Sequence, residues 1–89
     1  MRVQNAIREK LTVALAPQRL EIVDDSHRHA GHVGARPEGE THFSVLIISP
    51  QFHGKSRVER QRLVYGILRE ELAGPIHALS LITKAPDEI

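Results

Sequence analysis

The chain has 89 residues, 40% of them hydrophobic and 26% charged, with 12 basic against 11 acidic side chains, six histidines and no cysteine. This length excludes a second domain, so residues 1–89 read as one domain around one modest core. The composition excludes a disordered chain, a net charge of +1 excludes nucleic-acid binding driven by the field of the whole molecule, and the missing thiols exclude disulfides and a self-sufficient iron–sulfur cluster.

Val3, Ile7, Leu11, Ala14 and Leu15 recur at helical spacing and predict an amphipathic helix from about residue 2 to Ala16, stopped by Pro17. Leu20 to Asp24 reads as a strand with Leu20 and Ile22 inward. Ser26 to Glu40 is rich in Gly, His and charge without periodicity, which predicts a long loop. His42 to Ser49 is the second strand, with Phe43, Val45 and Ile47 on one face and apolar Leu46 and Ile48 on the other, so it reads as largely buried. Ser56-Arg57-Val58-Glu59 has the spacing of a capping box and opens a helix over 56–73, which ends at Gly74-Pro75. Ile76 to Lys84 is the third strand, with His77 at its start on the side of Leu79 and Leu81.

The order α-β-β-α-β predicts an α/β (α+β) domain with a single three-stranded mixed sheet and helices on one face. Strands one and two, joined by a hairpin connection, run antiparallel; the crossover helix makes strand three parallel to strand two. Spatial strand order stays open at this stage. The longest apolar run, Val45 to Ile48, is far short of the ~20 residues that span a bilayer, so no membrane is expected. Met1 to Asn5 lacks a signal-peptide apolar stretch, and the cytoplasm is the expected location.

Four of the histidines, His27, His29, His32 and His42, fall between Asp24 and Phe43. Imidazole is the commonest metal ligand and titrates near neutrality, so this density points to coordination or proton sensing. A zinc site built from His27, His29 and His32 is geometrically possible, with Asp24, Asp25 and Glu40 as general bases by type alone. From the residues alone His77 reads as a partly buried, backbone-bonded histidine, and His42 as a structural one that orients the connection or donates to a ligand. Lys55, Arg57, Arg60, Arg62 and Arg69 form the candidate nucleic-acid or partner surface, balanced by Glu59, Glu70 and Glu71. Gly54-Lys55-Ser56 lacks the upstream glycine of a P-loop.

Asp24-Asp25-Ser26 leading to His29, Gly39-Glu40-Thr41-His42-Phe43, Phe52-His53-Gly54-Lys55-Ser56, Arg60-Gln61-Arg62-Leu63-Val64-Tyr65 and Glu70-Glu71-Leu72 through Ile76-His77-Ala78-Leu79-Ser80-Leu81 together resemble the BolA family. The resemblance covers about residues 3 to 86 and implies a fold related to the type II KH module. It also implies a non-enzymatic protein of iron homeostasis that partners a monothiol glutaredoxin around a shared [2Fe-2S] cluster, or a DNA-binding transcriptional regulator of stress responses. Within that resemblance His77 corresponds to the recurring protein ligand and His29 to the second, with His32 as its alternative. The partner's cysteine and a glutathione thiol would complete the set. Extra residues before Gly39 and the additional His27 and His32 make this a histidine-type member, and the isolated chain is expected to be a monomer or weak dimer.

Overall fold

A computed structural model describes residues 2–25 and 41–89, in the order α1 (Arg2–Leu15), β1 (Arg19–Asp24), β2 (His42–Ile48), α2 (Arg57–Ile67), α3 (Arg69–Ala73) and β3 (Ala78–Lys84). Short 3-10 turns cover Pro50–Phe52 and Pro86–Glu88. The strand order is β1-β2-β3, which the sequence had left open. β1 pairs antiparallel with β2, Ile22 opposite Val45, and β3 runs parallel to β2 with Val45 opposite Leu81. Both relative directions agree with the sequence expectation.

Ile7, Leu11 and Leu15, spaced four apart on α1, are all buried, because that spacing stacks them on one helix face. They close on Ile22, Phe43, Val45 and Ile47 from the sheet and on Val64 and Leu68 from the second helical segment. Ala14, expected on this face, is exposed instead, since the stripe that meets the sheet runs along the four-residue spacing. The opposite sheet face presents Glu21, Val23, Ser44, Leu46, Ser80 and Ile82 around a shallow depression. Leu46 is only half-buried there, so β2 is less enclosed than its apolar run suggested.

The predicted 56–73 helix is two. Leu68, at φ −100° and ψ 18°, leaves helical geometry and separates α2 from α3. Gly66, a weak helix former two residues earlier, lowers the cost of this bend, and the fully buried Leu68 stays in the core. The capping box forms as predicted: Ser56 Oγ accepts from the Glu59 amide at 3.2 Å and Glu59 Oε1 accepts from the Ser56 amide at 2.7 Å. α3 closes with the Ile76 amide donating back to the Glu71 carbonyl at 3.0 Å.

Ser49, fully buried, follows β2. Its hydroxyl donates to the Leu15 carbonyl at 2.6 Å, satisfying an acceptor that the end of α1 leaves unpaired, and accepts from the Gln51 amide at 3.1 Å. Beside it α1 ends at Ala16, which holds φ 42°, in the left-handed region that normally takes glycine. Replacing Ala16 with Gly relieves that strain and loosens the unfolded chain, two opposed effects. The expected net gain is about 0.5–1 kcal/mol, read as a rise in the midpoint of denaturant unfolding at unchanged slope.

Candidate metal and partner site at one end of the sheet

Thr41 precedes β2 and is fully buried. Its carbonyl accepts from the amides of His77 at 2.7 Å and Ala78 at 3.2 Å, which fixes where β3 begins and sets Ala78 opposite His42. Its hydroxyl lies 2.8 Å from His42 Nδ1. The imidazoles of His42 and His77 stack with centroids 6.3 Å apart and planes 22° from parallel. β3 begins at Ala78, later than the expected Ile76, so one threonine holds the first residue of β2, His42, beside His77, the residue just before β3.

His77 is exposed, and its ring accepts or donates no hydrogen bond among the described residues. A ligand imidazole needs an uncommitted ring nitrogen, and His77 offers one in a place fixed by its own backbone. His42 is half-buried with one nitrogen engaged by Thr41, so it is the less available of the pair. The part missed in the sequence is the His42–His77 contact, which depends on β3 lying next to β2. Asp25, whose carboxylate accepts from the Ser44 hydroxyl and whose amide donates to the His42 carbonyl at 2.7 Å, shares the adjoining depression with His42, Ser44 and Ser80. Among the described residues no three His, Asp or Glu side chains converge as a metal centre. His27, His29 and His32 lie outside the described residues. Their segment is flanked by Asp25 and Thr41, both at this end of the sheet.

The basic set divides. Lys55, Arg57, Arg62 and Arg69 are exposed, whereas Arg60 is buried at 8% exposure and does not belong to the outer surface. Its Nε donates to the Lys55 carbonyl at 2.9 Å, one terminal nitrogen to the Thr83 carbonyl at 3.3 Å, and both terminal nitrogens to Glu88, at 2.6 and 2.8 Å. The guanidinium carbon sits 5.8 Å from the centre of the Phe52 ring. This forked pair, together with the Ala85 amide, holds the Glu88 carboxyl down from 4.5 to about 2.

The family model described as "BolA-like protein" matches residues 11–88. The chain belongs to this family. It is 51% identical over 84 residues to "Protein BOLA1, chloroplastic" of Arabidopsis thaliana, covering 92% of this chain and 52% of that protein. It is also 48% identical over 87 residues to "SufE-like protein 1, chloroplastic/mitochondrial" of the same plant, covering 93% of this chain and 24% of that one. This BolA-like chain therefore spans from a quarter to half the length of these relatives. The solved BolA domain of SufE1 from Arabidopsis thaliana superimposes with a TM-score of 0.88 at 48% identity, over 97% of this chain and 94% of that domain. No helix among the described residues is long and apolar enough to cross a membrane.

The lowered Glu88 carboxyl makes a stability prediction. A carboxyl depressed on folding stabilises the fold fully above its unfolded value near 4.5 and loses that contribution as pH falls through about 2. Melting temperatures of the parent chain and of Glu88→Gln should therefore differ most at neutral pH and converge across that acid window.

Proposed function

We propose that this chain is a non-enzymatic BolA-like protein of iron–sulfur and iron homeostasis, which shares a [2Fe-2S] cluster with a monothiol glutaredoxin in a reducing compartment such as the cytoplasm. The observation that carries this reading is His77: an exposed imidazole, free of hydrogen bonds among the described residues, placed by its own amide at one end of the sheet. The family and the relatives' BolA1 and SufE-like names are consistent with iron–sulfur biology.

The donor set fits a shared group better than a resident one. This chain offers imidazoles and no thiolate, and the described residues alone do not surround a metal. His77 would be one ligand and His29 the second, with His32 as its alternative; the partner's cysteine and a glutathione thiol would take the remaining positions. The cluster, when bound, would supply one-electron chemistry and a transferable iron–sulfur unit. A neutral imidazole in place of a thiolate leaves that unit less negative, easier to reduce and more sensitive to protonation, which suits transfer or sensing more than storage. His42 stacks beside His77 with ring centroids 6.3 Å apart and lines the same end of the sheet.

His77→Ala removes an exposed ring, so the thermal transition should move by no more than about 0.5 kcal/mol equivalent. Mixed with the glutaredoxin, iron, sulfide and glutathione, this variant should lose the mixed His/thiolate visible spectrum, leaving that of the glutaredoxin homodimer. An unchanged heterodimer spectrum and cluster lability would remove His77 from the ligand set. His29→Ala should be the most damaging of the changes at His27, His29 and His32.

A second reading, DNA-binding regulation, draws on the exposed Lys55, Arg57 and Arg62 around the start of α2. The Glu59 carboxyl is held below its usual range chiefly by its hydrogen bonds with Ser56 and to a lesser degree by Lys55 and Arg62, so part of this basic charge already faces an ionised carboxylate. Phosphate-driven binding would weaken steeply with salt, and Arg57→Ala or Arg62→Ala should each lower the slope of log K against log salt by about one. Salt-independent binding would defeat this second reading.

A further inference from the structure

At the far end of β3 from His77 lies a depression of about 430 Å³ whose walls include Arg57, Arg60, Lys84 and Glu88. Three cations face one carboxylate there. Arg57 and Lys84 are exposed and form no ion pair among the described residues. Arg60 is oriented without help from Glu88, because the Lys55 and Thr83 carbonyls and the Phe52 ring already fix its guanidinium plane. A guanidinium fixed in this way is prearranged for two-point recognition of an oxyanion.

Glu88 occupies that recognition edge now. Its side chain is 40% exposed against 10% for Arg60, and it sits on the Pro86–Glu88 turn, which buries no residue of its own. Rotating this carboxylate away from Arg60 gives up its bond from the buried Ala85 amide but displaces no core side chain. The other acidic group of the turn, Asp87, lies 3.4 Å from His53 Nδ1 and outside the lining, and acts on Arg60 only through space, as the smallest of the influences on it. We propose that this depression binds a phosphate monoester dianion through Arg57, Arg60 and Lys84, with Glu88 as the built-in competitor that fills the Arg60 fork when the ligand is absent. A dianion answers the three cations more fully than one carboxylate does. A phosphodiester, with a single charge, does so no better than Glu88, which sets this site apart from a nucleic-acid backbone contact. The site is independent of the cluster reading, since it lies at the opposite end of β3 and uses none of its residues.

Calorimetric titration of the full chain at constant ionic strength and mildly alkaline pH, with inorganic phosphate, glycerol phosphate and dimethyl phosphate as separate probes, tests the proposal. The first two should bind and the diester should bind about tenfold more weakly or not at all. Glu88→Gln, checked for folding by circular dichroism, should bind phosphate about tenfold more tightly, because the internal competitor loses its charge. Arg57→Ala combined with Lys84→Ala changes two exposed side chains, leaves the fold intact and should weaken phosphate binding about tenfold. The proposal is overturned if neither the parent chain nor Glu88→Gln binds phosphate, if the double change leaves affinity unaltered, or if the diester binds equally well. Should Glu88→Gln fail to fold, the double variant and the diester decide the matter.

Discussion

The arrangement depends on how β2 is held at its two ends. Thr41 before it and Ser49 after it are both fully buried, and a buried hydroxyl must find partners or cost about 1–3 kcal/mol. Ser49 meets that requirement at the end of α1, through the Leu15 carbonyl, and so ties the first helix to the sheet. Thr41 meets it at His42, while its carbonyl takes the first amides of the third-strand segment. The central strand is therefore the reference against which α1, β1 and β3 are all positioned. In a parallel pair a one-residue slip would turn every β3 side chain to the other face, so the Thr41 contacts also decide that His77 meets His42 and not the core.

Much of this frame is legible in the sequence because it is local. The four-residue spacing of Ile7, Leu11 and Leu15, the Ser56 to Glu59 capping box, and the alternation of Phe43, Val45 and Ile47 each declare an element from fewer than a dozen adjacent residues. The strand order is not local, and the His42–His77 contact follows from it. Arg60 shows the same limit more sharply. By composition it belongs with Lys55, Arg57 and Arg62, yet its environment is set by Glu88, 28 positions away, and by Phe52 beneath it. An arginine is buried only where partners satisfy its donors, and no pattern around residue 60 reveals that such a partner exists. The bend at Leu68 is intermediate: Gly66 signals weakness in the helix, but the choice of Leu68 as the break reflects its place in the core.

The sheet separates two kinds of chemistry. One end gathers Asp25, Thr41, His42 and His77, neutral or anionic groups suited to a cation, and flanks the segment that carries His27, His29 and His32. The other gathers Arg57, Arg60 and Lys84 around one carboxylate and is suited to an anion. β3 runs from Ala78 to Lys84, six steps that at ~3.3 Å each place its two ends ~20 Å apart. That is beyond a Debye length of about 8 Å at physiological ionic strength, so charge at one end does not reach the other through solvent.

A chain without thiolates gains a specific character from this separation. Imidazole competes poorly with thiolate for iron, so under the proposed reading His77, with a second histidine, would cap a cluster that the partner already holds on its sulfur atoms rather than extract it. The rigidity matters here: Thr41 fixes the backbone of His77 through a buried carbonyl, so ordering this ligand costs little when a partner docks. A second ligand drawn from the segment between Asp25 and Thr41 would then be chosen among several histidines on chemical grounds, while His77 stays the fixed point.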